Sequence, residues 1–556
     1  MANLSRTRTV FGFTSPRTIE KIIPEIKILV DNFSNQEWNT ETQIQYFKHL
    51  FASGFYEGAK MPSNIAFAAR DRITRAPKAL GFVDLKPVIN LTDVGVQLLK
   101  NKRIHEVIAR QLFKFQLPSP YHRIPSDRNF NVKPYLELLR LVAKLGNISK
   151  IEVAIFFVQM TNYNKFDEIV RSIIRFRKAI SNYKGNRKVF INDVFTQEIE
   201  KIYSTEIEAN DLKTRESDNI TFDKFIKTKR NNHIDYADAF IRYLRATHLI
   251  TFDKKTFRMI VAPSRKTDVE YILSNVDREV RIFRTEGDYK RYLFNPDTIQ
   301  LLADDRGYVE GQLKKLSVEF DDKLDTESLK DLLEITEARL ISEAIKETEI
   351  ALKHYREFDD ILDVFLKIQK MEVPDPPLYL EWNVWRAMVM LNYAKRVKGN
   401  FTLDLDGIPL NTALGNKPDI EVDYHGFKII VEVTMSSGNR QYEMEGEPVA
   451  RHFGKVQNNS SVPVYCLFIA PKISEGALAH FYNLNKMYTR AYGGMTRIIP
   501  MNLSQFVTFI TTAKERGFDN AQNLKAYFDS IIELNFTTAD EAQWYQRINE
   551  TVPAWT

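Results

Sequence analysis

Pro374-Asp-Pro-Pro377 constrains this chain more than any other run of residues. Proline lacks an amide donor and fixes its own φ, so no helix interior or central strand passes through such a cluster. The sequence breaks there into two parts of unlike character. Upstream, Val309 to about Lys370 is charge-rich, with Leu316, Leu324, Leu332, Leu340 and Leu352 spaced among Glu and Lys, and reads as a helical connector. Downstream come apolar and alternating runs that read as a buried helix and strands. At 556 residues the chain is also too long for one hydrophobic core. Four parts are expected: 1–130, 131–290, a helical linker over 291–375, and 376–556. No internal repeat or low-complexity tract is found.

The part after the prolines carries the acids. Leu380 to Ala394 is apolar nearly all round, as a buried helix is. Glu381 sits at its start and needs a metal or cation partner there, or it must protonate. Gly415 to Thr434 reads as two strands joined at His425-Gly426, with Asp419 at one end and Glu432 at the other. Pairing around that turn can bring the two carboxylates close, and hard oxygen ligands of this kind suit Mg2+. Pro448 is expected in the first turn of a helix, with Arg451 and His452 just inside, where a helix N-terminus can hold a phosphate. Strands at Val462–Ala470 and Arg497–Pro500 and helices from Ser474 and Leu503 complete the order α-β-β-α-β-α-β-α.

The N-terminal half carries clustered cations. Ser63 to Pro77 reads as a helix presenting Arg70, Arg72 and Arg75, followed by Lys78 and a break at Leu80-Gly-Phe-Val83. Val88 to Leu99 reads as a short strand entering a helix that Thr92 caps. Helix, basic helix, hairpin, helix is winged-helix order, and such a basic helix can enter a DNA major groove. The same arginines equally suit a solvated face. A second such unit is expected in 131–290, with a Ser149 cap and a helix running into a strand over Tyr236 to Phe252. Lys224 to Asn232 adds a basic run suited to phosphates or to a solvated loop.

The bulk numbers permit nucleic acid without requiring it: 78 Lys plus Arg against 72 Asp plus Glu gives a net charge of +6. The single cysteine, Cys466, lies in an apolar run as a small buried hydrophobe, and no intramolecular disulfide is possible. The N-terminus lacks the apolar stretch of a signal peptide, and no window spans a bilayer, so a cytoplasmic protein with no membrane partner is expected.

Taken together, Glu381, the acidic hairpin and the helix with Arg451 and His452 resemble the PD-(D/E)xK nuclease core. The usual lysine is missing, because its position is Thr434. The residue that orients the attacking water is then Glu445, with Lys417 and Lys428 as weaker alternatives. Further stretches extend the resemblance along nearly the whole chain: Ser15-Pro-Arg-Thr-Ile-Glu-Lys-Ile-Ile-Pro-Glu25, Arg70-Asp-Arg, Gly81-Phe-Val, Gly415-Asn-Lys-Pro-Asp419, Glu432-Val-Thr434, Met444-Glu-Gly-Glu-Pro-Val449, Arg451-His452 and Cys466-Leu-Phe-Ile-Ala-Pro471. These resemble type IIS restriction endonucleases of the AlwI, PleI and MlyI kind, a family that includes site-specific nicking endonucleases.

The resemblance implies a multidomain α+β chain with two winged-helix-like DNA-recognition subdomains, a helical linker and a C-terminal PD-(D/E)xK-type nuclease. It implies cleavage of double-stranded DNA a few base pairs outside an asymmetric site such as GAGTC or GGATC. Catalytic residues fall on Glu381, Asp419, Glu432, Glu445 and His452. Mg2+ falls to Asp419, Glu432, the Val433 carbonyl and Glu381, and DNA contacts to Arg70, Arg72, Arg75, Lys78 and Arg451. A double-strand break would need a second copy or a small catalytic subunit. The competing readings are a catalytically inactive sequence-specific DNA-binding regulator and a structure-specific repair nuclease.

Overall fold

The computed structural model describes residues 4, 6–16, 19–56, 60–391, 393–412, 417–516 and 520–554. Arg17, Thr18, Gly415 and Asn416, which carry part of the resemblance, lie outside them, as does Asn392 of the expected buried helix. The described chain is mixed α and β, mostly helical, with small sheets. It forms two compact units, one drawn from residues up to Thr336 and the other mainly from Glu337 onward. The division falls within the helix Thr326–Lys353. No helix among the described residues is long and apolar enough to cross a membrane.

The first unit is a helical body with two short antiparallel ribbons. Val83–Asp84 pairs with Asn90–Leu91, and Ile250–Phe252 pairs with Met259–Val261. Thr92 caps the helix Asp93–Leu99 as its sequence requires, its side chain accepting from the Gly95 N–H. A side chain at Gly95 would collide with the Phe82 carbonyl, so that helix can rest on the ribbon only because the position is glycine. Ser149 and Glu152 form a reciprocal capping box at the helix Lys150–Ile155. The basic run from Lys224 lies within the helix Phe222–Arg245, so the loop alternative is replaced by helix. Lys229 in that run lies over the Tyr203 and Phe225 rings, 4.5 and 5.1 Å from their centres.

The second unit is built on a five-stranded sheet, in the order Ile498–Asn502, Val464–Ala470, Lys428–Val433, Ile420–Asp423, Arg396–Gly399. The first three strands run parallel, Ile420–Asp423 pairs antiparallel with Lys428–Val433, and Arg396–Gly399 pairs antiparallel with Ile420–Asp423. Val464–Ala470 is buried along its whole length, which its unbroken apolar run requires of a strand covered on both faces. Cys466 lies in it, free and buried. The helix Pro376–Met390 is buried nearly all round and packs against both strands of the acidic hairpin.

Two expectations are corrected here. Arg396–Gly399 adds an edge strand, and Thr402–Leu403 with Pro409–Asn411 a small ribbon, that the expected element order lacks. Both are short, and the edge strand is half-exposed and carries basic residues, so neither has the apolar periodicity that announces a strand. The helix expected to begin near Pro448 instead runs over Asn439–Asn458, with Pro448 inside it. Gly438, at φ +59°, makes the entry turn that only glycine takes readily. Arg451 and His452 therefore lie in the body of the helix, and its N-terminal amides are not beside them.

Candidate active site

The hairpin sets the acids face to face. Its register pairs Ile420 with Val431 and Glu421 with Ile430. Carried one residue further, the same register puts Asp419 opposite Glu432, with both side chains on one face of the sheet. Asp419 Oδ2 accepts a hydrogen bond from the Val433 N–H at 2.7 Å, which fixes the carboxyl at the strand end. The turn at His425-Gly426 forms as the sequence indicates.

The helix Asn439–Asn458 brings a third carboxylate and an imidazole to the same place. The Thr434 hydroxyl donates to Glu445 Oε1 at 2.6 Å and accepts from the Ser436 N–H at 3.0 Å. His452, two turns further along the helix, has Nδ1 2.8 Å from Glu432 Oε1. Burial, with Arg451 and Lys455 adding, pushes His452 down to about 4. Its ring is therefore neutral near pH 7, and its contact with Glu432 is a hydrogen bond, not an ion pair.

The three acids repel one another. Burial and then Glu432 push Asp419 well above the usual carboxylate range, with Glu445 adding and the Val433 N–H opposing. Burial and Glu445 push Glu432 well up, and Arg451 opposes. Burial raises Glu445 against the pull of the Thr434 and Ser436 hydrogen bonds and of His452. Three mutually repelling carboxyls, of which only Glu432 has an arginine opposing its shift, and that arginine half-exposed and salt-bridged to Glu447 at 3.2 Å, are a donor set whose charge a divalent cation would neutralise. Among the described residues no group of three or more His, Cys, Asp or Glu side chains is placed to hold a metal ion as it stands. Mg2+ does not call for one, since it is held by one or two carboxylates plus waters and phosphate oxygens.

Glu381 is buried on the helix Pro376–Met390 that packs against the hairpin. Lys428 is at the wrong end of its strand, pairing with Asp423 at 3.5 Å beside the turn, four residues and about 13 Å from Glu432. Lys417 is exposed. Of Glu445, Lys417 and Lys428, Glu445 is hydrogen-bonded to Thr434 beside the acids, whereas Lys428 is held at the far end of its strand.

One residue of this region has no counterpart in the sequence reading. Gln441 is fully buried, and its amide donates to the Ser436 carbonyl at 2.9 Å and the Lys472 carbonyl at 3.0 Å while accepting from the Ser474 N–H at 2.7 Å. It thereby ties the segment after Glu432 and the segment after the strand Val464–Ala470 to the helix that carries Glu445. Only a helix start placed upstream of Pro448 would have pointed to it.

In the first unit the basic helix is Ile65–Ile73, followed by the short helix Ala76–Ala79. Arg70 is exposed. Arg72 turns inward to a salt bridge with the buried Glu25. Arg75 pairs with Asp71 and donates to the Thr14 hydroxyl at 2.6 Å. Lys78 lies over the Tyr121 ring, 4.5 Å from its centre.

A family model described as the AlwI restriction endonuclease matches residues 78–509, well over half of the chain. Among solved structures, the small subunit (R.BspD6I2) of the heterodimeric restriction endonuclease R.BspD6I is 27% identical with a TM-score of 0.30, over 36% of this chain and 100% of that one. The BpuJ1 endonuclease binding domain, in complex with pyrene- and phenanthrene-modified DNA, is 13% identical with a TM-score of 0.32, over 50% of this chain and 91% of that one. No curated protein sequence matches the chain.

Proposed function

The chain belongs to the AlwI restriction endonuclease family, and from that premise we propose that it is a Mg2+-dependent type IIS or nicking endonuclease, hydrolysing a phosphodiester bond a few base pairs outside a short asymmetric site. The observation that carries this reading is the convergence of Asp419, Glu432 and Glu445 on one end of the acidic hairpin. In this reading the C-terminal part, 376–556, is a PD-(D/E)xK-type nuclease, 291–375 a helical linker, and 1–130 and 131–290 winged-helix-like DNA-recognition subdomains.

Asp419, Glu432, the Val433 carbonyl and Glu381 would hold Mg2+. When bound, the ion would supply positive charge that draws electron density from the scissile phosphate and acidifies the attacking water. Glu445, held by hydrogen bonds from Thr434 and Ser436, would orient that water and accept its proton. His452, neutral and fixed on Glu432, and Arg451 hold the phosphate. Of the expected DNA contacts in the recognition part, Arg70 is exposed and would reach DNA, whereas Arg72 and Arg75 are held by Glu25 and Asp71 and Lys78 lies over Tyr121.

The test is incubation with Mg2+ and a plasmid of known sequence, followed by mapping of ends on both strands. Ends at a constant offset from one short motif are expected. Binding without cleavage would instead identify an inactive regulator, and cuts at junctions or flaps irrespective of sequence a repair nuclease.

A further inference from the structure

The loop between the helix Glu475–Lys486 and the strand Ile498–Asn502 is seated on the helix Asn439–Asn458, which carries Glu445 and His452. Two hydrogen bonds close it, the Thr489 and Gly494 amides each donating to the other's carbonyl at 3.1 Å. Inside them Arg490–Tyr492 makes one tight turn and leaves it through Gly493 at φ +74° and Gly494 at φ +117°, backbone that glycine takes most readily. Gln457 of the helix donates to the Tyr492 carbonyl at 2.9 Å and accepts from Arg497 at 3.1 Å. The seat itself is Gly454, which is buried: a side chain there would come within 2.6 Å of Tyr492 Cα. Glycine weakens a helix interior, so its presence here follows from the close approach of the loop backbone.

That seat determines what Tyr492 meets. Glu447, Arg451 and Gly454 recur at helical spacing along one stripe of the helix, and Arg451 Nε pairs with Glu447 at 3.2 Å. The Tyr492 side chain is half-buried and lies in the field of that pair: burial and then Glu447 push its hydroxyl up, Arg451 opposes them, and no hydrogen bond to a described residue contributes. Arg451 also opposes the shift of Glu432, so one guanidinium links the tyrosine to the acids. An O–H donor on a braced loop, committed to no acceptor of the described chain and set beside an arginine that acts on the site, can donate to the phosphate that this arginine holds.

We propose that Tyr492 is a further substrate-positioning residue of the cleavage reaction, its hydroxyl donating to the phosphate held by Arg451 while the seat at Gly454 keeps the loop in place. This rests on the endonuclease reading and adds to it a group from outside the acidic hairpin and its helix. A phenol is neutral, so it releases no counterion on binding, and its hydrogen bond strengthens as negative charge builds on the phosphate oxygens. It therefore acts on rate more than on affinity.

The test is Tyr492→Phe in the full chain, which keeps the ring and removes only the hydroxyl. With Mg2+ and a plasmid that the wild-type chain cleaves, the single-turnover rate is expected to fall about tenfold, as for the loss of one hydrogen bond to a charged group. Kd for the same DNA without metal stays within about twofold and its salt slope is unchanged, whereas Arg451→Gln makes the slope of log K against log salt shallower by roughly 0.9. The double variant Arg451→Gln/Tyr492→Phe loses less rate than the product of the two single losses, because both groups act on one phosphate. A wild-type rate in Tyr492→Phe overturns the proposal, as does a rate loss matched by an equal loss of metal-free binding. Losses that simply multiply in the double variant overturn the shared phosphate. If the wild-type chain cleaves no sequence at all, the endonuclease reading fails and this proposal with it.

Discussion

At the scale of single residues, the site depends on groups whose partners decide what they can do. In the proposed nuclease core Thr434 takes the position of the motif lysine, and its hydroxyl fixes Glu445. Thr434→Val is expected to lower kcat by about tenfold, the cost of losing one hydrogen bond to a charged group, with KM and DNA binding unchanged, while Thr434→Ser retains most activity. Single-turnover cleavage against a binding titration separates the two. Glu152 shows the opposite electrostatics from the site acids. Burial alone would raise it, but hydrogen bonds from Arg177, Arg258 and the Ser149 N–H outweigh burial and hold it below the ordinary carboxylate range. Its contribution to stability is thus complete above the unfolded carboxyl's pKa and is lost as pH falls through the lower folded value. Glu152→Gln should remove that acid-side loss, and Glu152→Ala should cost about 3 kcal/mol by leaving two arginines without their partner, both read from denaturant unfolding across pH. Asp419 and Glu432 were legible because strand alternation around a glycine turn fixes which residues face each other. Arg72 was not, because its partner Glu25 lies 47 residues away and nothing near either residue signals the pairing.

At the scale of elements, the helix Asn439–Asn458 organises the site more than its sequence suggests. Proline at an interior position removes one intrahelical hydrogen bond, so Pro448 read naturally as a first turn. Packing decided otherwise: Val449, Ala450 and Phe453 are fully buried, and Gln441 secures the preceding turns. The capped helices at Thr92 and Ser149 were readable from local chemistry alone, whereas the short edge strand Arg396–Gly399 exists only by pairing with Ile420–Asp423. Gln441→Ala leaves two carbonyls and one amide without their partner in a buried position. It is expected to destabilise the chain by about 1–3 kcal/mol and to lower kcat at saturating DNA, because Glu445 loses its fixed approach. Unchanged kcat in the folded variant would show that the clamp is structural only.

At the scale of the whole molecule, the described chain forms two compact units that divide between Thr336 and Glu337, inside the charge-rich helix and upstream of the proline cluster. A net charge of +6 was too small to identify a polyanion partner, because composition does not carry where on the surface the cations lie. One set of acids cuts one strand, so supercoiled plasmid should pass first to nicked circle, with linear product appearing only as protein concentration rises or a second catalytic subunit is added. Gel kinetics across a protein dilution series check this. The central claim, that the acids at the hairpin end perform the cleavage, is tested most directly by Asp419→Asn and Glu432→Gln. Cleavage in Mg2+ and duplex binding without metal are measured on the same preparations. The account predicts a fall in cleavage rate of at least about two orders of magnitude with binding intact, and cleavage at the wild-type rate in either folded variant would contradict it.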